Sequence, residues 1–177
     1  SHKSIRELKD LGFKLNFHYM LGLPETTKEM DIVGLRELFE NPLYKPDMLK
    51  IYPCMVMKGT PLYLVWKAGK YQPMTTATAA EIIAEFMRYV PSYCRIMRVQ
   101  RDIPTNVTEA GVDKTNLRQY VDKIMREKNI TTKEIRAREI GTALENNPVL
   151  KINKPEIVVQ EYKASSGIEF FISMEDI

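Results

Sequence analysis

The chain has 177 residues, 44% hydrophobic and 28% charged, with a formal net charge of +3 and a pI near 8.7. That is the composition of one ordinary globular domain, or of one domain plus part of another. It excludes a disordered polyelectrolyte, and the apolar runs are far too short to cross a bilayer. The basicity permits a nucleic-acid partner without requiring one, and the two cysteines, Cys54 and Cys94, lack metal-ligand spacing and read as buried free thiols.

Residues 4–11 form a charged, helix-compatible run closed by Gly12 as a C′ glycine. With no initiator Met and no cap before that run, the chain reads as an interior piece of a longer protein. No basic-then-apolar leader opens it, so a cytoplasmic setting without a membrane is the expectation. Residues 13–20 alternate as a strand does, with Phe13, Leu15, Phe17 and Tyr19 on one face and Lys14, Asn16, His18 and Met20 on the other. In a parallel barrel one strand face packs on helices and the other points into the lumen, so Asn16 and His18 are expected to face a ligand. A hydrogen-bonded core histidine is the alternative for His18. Gly22-Leu23-Pro24 then joins strand to helix at the carboxyl end of the strand, where parallel α/β proteins hold ligands; a plain strand–turn–helix connection is the alternative.

Thr26-x-x-Glu29 has the form of a capping box for a helix running to about Phe39, with Met30, Val33 and Leu38 as its apolar face and Asn41-Pro42 as its stop. Residues 47–53 read as a second strand, Leu49 and Ile51 on one side and Met48, Lys50 and Tyr52 on the other. Lys50 and Tyr52 join the expected lumen, where a buried lysine needs an anion or a ligand. The spacing is that of a right-handed βαβ crossover. Thr60-Pro61 opens a short helix through Trp66. Thr78-x-x-Glu81 reads as a second capping box, before the core stripe Ala79, Ile82, Ile83, Phe86, Met87 and Val90. Residues 94–102 read as a third strand, with Met97 and Val99 on one face and Ile96, Arg98 and Gln100 on the other; Gln100 joins the lumen set. Arg95, Arg98 and Arg101 crowd this strand, and ion pairing with Asp102 and nearby acids competes with contact to phosphate or RNA backbone.

Beyond residue 104 a helix to about Lys128 carries Leu117, Tyr120, Val121 and Ile124 inward and Lys114, Arg118, Lys123 and Arg126 outward. Arg136 and Arg138 follow in a second basic run. A solvated charged face and an RNA surface are both open readings. After Asn153-Lys154-Pro155, two strands flank Ser165-Ser166-Gly167 as a hairpin. The residues alone thus give an α/β chain: part of a parallel barrel over 1–104, a helical basic linker over 105–150 and the start of a second domain over 151–177. No acid–base pair, nucleophile triad, phosphate loop or metal cluster is complete.

Motifs take the reading further. Residues 17–24 (Phe-His-Tyr-Met-Leu-Gly-Leu-Pro), 47–53 and Lys58-Gly59-Thr60-Pro61-Leu62-Tyr63 resemble the second half of a radical S-adenosylmethionine (SAM) barrel of partial TIM type. Residues 98–104, Asn116-Leu117-Arg118, Arg136-x-Arg138-Glu139-Ile140-Gly141 and above all residues 161–176 narrow the resemblance to the tRNA uridine acetyltransferase family that includes the catalytic subunit of Elongator. That resemblance implies a radical SAM barrel followed by a GNAT-type acetyltransferase, begun at 151–177. The implied reaction uses acetyl-CoA and a radical to place a carboxymethyl group on C5 of the wobble uridine of tRNA. The family's 4Fe-4S and SAM ligands, and its acetyl-CoA loop, match nothing in this chain, so no catalytic or metal-binding residue is carried over and the piece alone is expected to be inactive. The resemblance makes Asn16, His18, Lys50, Tyr52 and Gln100 the SAM side of the lumen. Arg95, Arg98, Arg101, Lys114, Arg118, Arg136 and Arg138 become candidate tRNA contacts. Other Elongator subunits, or self-association, are the further partners it brings. Some members carry zinc-binding cysteines before the Arg-Glu-x-Gly motif; residues 131–137 hold none, which argues against zinc here. A radical SAM enzyme acting on a small molecule, and a non-catalytic RNA-binding or subunit-contact module, are the alternatives.

Overall fold

A computed structural model describes residues 2–101, 103 and 107–176. Asp102 and Pro104, on which the end of the expected third strand and the boundary at 104 fall, lie outside the described residues. Helix α1 (His2–Asp10) leads through Gly12, at φ +80°, into β1 (Asn16–Leu21). Helix α2 (Lys28–Glu40) then returns the chain to β2 (Met48–Pro53), which runs parallel to β1 from Asn16 opposite Met48 to Leu21 opposite Pro53. A short β3 (Val56–Met57) precedes α3 (Pro61–Lys67), α4 (Thr76–Phe86) and a 3-10 turn at Met87–Tyr89. Strand β4 (Arg95–Arg98) adds to the far side of β2, giving a parallel sheet of order β1-β2-β4, and β5 (Thr108–Ala110) pairs antiparallel with β3.

Alternation builds one face of this sheet into the core. Leu49, Ile51, Leu21 and Ile96 are fully buried against Leu35, Phe39 and the inner side of α4. Each such side chain contributes about 1.5–3 kcal/mol relative to exposure. The α4 stripe from Ala79 to Val90 is buried as the spacing requires, and Phe86 stacks on Phe39 with ring centroids 5.8 Å apart. Helix α5 (Leu117–Glu127) buries Leu117 and Val121 in the same cluster, so residues on both sides of position 104 share one core.

Several local expectations change; Tyr120, for one, is exposed, and Lys114 precedes α5. The α2 cap is Thr27, whose hydroxyl accepts the Met30 N–H at 3.2 Å, while the Thr26 hydroxyl donates to the Leu23 carbonyl. The α4 cap is Thr75; Thr78 already lies in the first turn and donates its N–H to the Thr75 hydroxyl. Met30 and Val33 face outward, and the buried α2 stripe is Asp31, Leu35 and Phe39. The third strand stops at Arg98. A register shift against Leu49/Lys50 makes Met97 an extra residue, so Ile96 turns into the core while Arg98 pairs with Lys50 on the opposite face.

Helices α6 (Ile135–Arg138) and α7 (Ile140–Asn146) follow α5, and strands β6 (Pro155–Ala164) and β7 (Gly167–Asp176) form an antiparallel hairpin with Ser165 at φ +52° in its turn. The hairpin docks by Tyr162, stacked on Tyr93 at 3.9 Å between centroids, and by Glu169, 2.7 Å from the amine of Lys9. Its other face presents Ile157, Val159, Phe170, Ile172 and Met174, each more than half exposed. Among the described residues no helix is long and apolar enough to cross a membrane.

Close approach fixes one helix position. A Cβ on Gly34 would clash with the Tyr19 hydroxyl. Helix propensity favours alanine over glycine by about 1 kcal/mol, yet overpacking costs about 1–3 kcal/mol. Gly34→Ala is therefore expected to lower the thermal midpoint, and the same change in a Tyr19→Phe background to be less harmful; calorimetry of the three variants checks both.

Candidate functional site

The sheet face opposite the helices is polar and open. Lys50 stands directly between His18 on β1 and Arg98 on β4, and the row above them places Asn16 beside Met48 and Arg95. His18 is exposed and meets the Tyr52 ring edge-on at 5.5 Å. Lys50 is half-buried, and among the described residues no carboxylate comes within ion-pair distance of it. The Asn16 side-chain oxygen is buried without a hydrogen-bond partner. Neighbouring cations in register repel one another, and an orphaned acceptor is costly. Both features suit a ligand that brings an anionic group and a hydrogen-bond donor to this face.

At the carboxyl end of β1 the Gly22 loop is tied down on both of its backbone groups. Its N–H donates to the Asp31 carboxylate at 2.8 Å, and its carbonyl accepts the Tyr71 hydroxyl at 2.6 Å. Gly22 sits at φ +66°, and a Cβ there would meet the Met74 methyl at 3.0 Å, so a side chain at this position would be strained. Burial pushes the Asp31 carboxyl up, against the Gly22 N–H that favours its charged form, and burial likewise raises Tyr71. Beside the loop lies a cleft of about 310 Å3 bordered by Leu23, Lys28, Lys70, Tyr71 and Met74. The loop is thus a rigid rim to the open face.

The remaining predicted residues separate into two groups. Gln100 lies past the end of β4 and clamps the start of α5: its amide donates to the Lys114 carbonyl and accepts the Leu117 N–H at 3.1 Å. Arg95 makes a two-pronged pair with Glu139, which holds that carboxyl below the usual range. Arg118 bonds Glu134 at 3.0 Å, and Arg138 bonds Glu175 at 2.8 Å. Arg101 and Lys114 are exposed, the Gln100 bond holds the Lys114 backbone, the Lys114 amine lies 3.7 Å from Asp113, and exposed Arg136 lies on α6. Lys50 and Arg98 thus stand side by side on this face, and exposed Arg101 follows three residues after Arg98. Among the described residues no group of three His, Cys, Asp or Glu could hold a metal ion.

Sequence reasoning overlooks Asp31, Tyr71, Glu134 and Glu139. Asp31 carries a signal, an acid four residues before Leu35 and eight before Phe39 on the buried stripe; Glu134 caps α6 through the Arg136 N–H two residues on, but its other partners, and those of Tyr71 and Glu139, are too distant in sequence to be read.

Residues 46–127 match the Radical_SAM C-terminal domain model. The chain is 43% identical over 176 residues to the tRNA uridine(34) acetyltransferase of Methanocaldococcus jannaschii, covering 99% of this chain and 32% of that protein. It is 38% identical to human Elongator complex protein 3 over 174 residues, with 98% and 32% covered. A solved structure of the archaeal Methanocaldococcus infernus Elp3 with an N-terminal deletion matches at a TM-score of 0.94 and 40% identity, covering 99% of this chain and 41% of that one. The chain spans about a third of the length of the curated relatives it matches.

A half-buried cation without an acid partner weakens the fold that holds it. Lys50→Met is expected to raise stability by about 1 kcal/mol, since it removes a half-buried cation lacking an acid partner. Urea unfolding checks this; a marked loss of stability would show that Lys50 has a structural role instead.

Proposed function

Because the chain belongs to the family of tRNA uridine(34) acetyltransferases and Elongator complex protein 3, we propose that it supplies one wall of the ligand chamber, and the adjoining RNA track, of an enzyme that modifies uridine 34 of tRNA. The observation that carries this is the pairing of Lys50 with Arg98 on the open face, with exposed Arg101 three residues further on and the Lys114 backbone bonded to Gln100 beside it. A phosphate backbone is met by such a track, and base chemistry needs the target nucleotide delivered into a chamber.

In this reading SAM and a 4Fe-4S cluster, as in radical SAM proteins generally, supply radical chemistry when bound. The contribution of this chain is to receive the polar end of SAM, or the substrate, on Lys50, Asn16 and His18, with Tyr52 packed beside the imidazole. The rim at Gly22 keeps its shape because Asp31 and Tyr71 hold both backbone groups. The methyl carbon of acetyl-CoA would replace the hydrogen on C5 of the uridine, the two reducing equivalents released would be taken up in the cleavage of SAM, and water would free CoA from the thioester to leave carboxymethyl. The hairpin of β6 and β7 would begin the acetyltransferase unit, whose further layers would cover its apolar face. Other Elongator subunits are the natural protein partners of this arrangement. The track favours RNA over a small-molecule substrate, which needs no cationic path to the surface.

Arg101→Ala and Lys114→Ala together, in the full-length protein, are expected to weaken tRNA binding about equally for different tRNA sequences and to lower the salt dependence by about one counterion per lost contact. Titration with tRNA across a range of salt concentrations checks it. An unchanged affinity and slope would remove the track from the RNA interface.

A further inference from the structure

We infer that Arg138 is a positioning residue that fastens the β6–β7 hairpin to the parallel sheet, rather than a contact to RNA. All three guanidinium nitrogens are engaged on protein acceptors. Nε donates to the Lys133 carbonyl at 2.8 Å, Nη1 to the Glu175 carboxylate on β7 at 2.8 Å, and Nη2 to the Ser92 carbonyl before β4 at 2.9 Å. A planar fork with five fixed donors suits such a three-way junction, and lysine could not reproduce it.

The next residue does the complementary job. Glu139 has extended backbone (φ −64°, ψ 132°) between α6 and α7, so consecutive side chains reach in different directions. Arg138 goes to the hairpin, and Glu139 grips Arg95 on β4 with both oxygens. The charges alternate along this path: Glu175, Arg138, Glu139, Arg95. It begins on the hairpin and ends on the polar sheet face. The Ser92 hydroxyl meets Gln160 of β6, and Tyr93 stacks on Tyr162, so residues 92–95 touch both the hairpin and the Arg138–Glu139 segment. An isolated surface pair would contribute little; here three bonds converge on one planar group from three separate stretches of chain. Resting on the function proposed above, the consequence is that whatever the hairpin side carries is held at a fixed distance from the open face.

Opposite expectations for Glu175 make this testable. In the natural full-length protein, amide hydrogen exchange across β6 and β7 is measured for wild type, Arg138→Ala, Glu175→Gln and the swap Arg138→Glu/Glu175→Arg, with tRNA affinity measured beside it. Losing a charged hydrogen-bond junction should speed hairpin exchange about tenfold in both single variants, with the swap slower than either and tRNA affinity within about twofold of wild type. If Arg138→Ala weakens tRNA binding about tenfold or more while hairpin exchange stays at the wild-type rate, Arg138 is an RNA contact and the inference fails. Unchanged exchange with unchanged affinity also overturns it. Wild type that binds no tRNA would refute the proposed function, while the exchange arm would still decide the role of Arg138.

Discussion

A fully buried carboxylate closes the edge of the parallel sheet. Strand β4 is the last in the order, so its outer N–H and C=O groups need partners. Glu134, with no exposed surface, accepts the Ile96 N–H at 3.2 Å, and the Ile135 N–H donates to the Cys94 carbonyl at 3.0 Å. The same carboxylate accepts the Arg136 N–H that opens α6 and the guanidinium of Arg118 on α5. One side chain thus finishes the sheet, caps a helix and ties down a second helix. A buried charge without these three donors would be strongly unfavourable. The segment that follows, with Arg138 and Glu139, inherits its position from this anchor.

The open face depends on that anchoring. Its cations stand in register because β2 and β4 pair, and the bulge at Met97 turns Arg98 toward Lys50 while Ile96 stays in the core. Placing Lys50 among other basic groups, with an orphaned Asn16 oxygen nearby, is a poor choice for stability alone. It makes sense where a polar ligand completes the face. Basic residues differ in their settings here: Arg95, Arg118 and Arg138 join separate segments through named acids, whereas exposed Lys114 meets its chain neighbour Asp113 and Arg101 is exposed.

Much of this was legible in the residues. Period-two alternation located β1 and β2 and assigned Asn16, His18, Lys50 and Tyr52 to one face, because both strands are regular and pair without a break. The α4 stripe was readable for the same reason, and the motif resemblance pointed to the family that the comparisons support. Irregularity hid the rest. A single bulge inverted Ile96 relative to Arg98, and adjacent or near threonines made Thr26 and Thr78 look as good for capping as Thr27 and Thr75. An aspartate on a buried stripe broke the hydrophobic pattern of α2, since its partner is the backbone of Gly22. Ion pairs such as Arg138 with Glu175, or Arg95 with Glu139, join residues dozens of positions apart. Composition alone counts those arginines as surface charge.

The most direct test of this account is the exchange rate of the Ile96 amide in Glu134→Ala. Removing the carboxylate leaves that N–H without its partner and Arg118 without its anion. Breaking a buried pair costs about 3 kcal/mol, so protection at Ile96 should fall about a hundredfold, with α5 and α6 losing protection alongside it. Wild-type protection at Ile96 in that variant would contradict the claim that Glu134 closes the sheet.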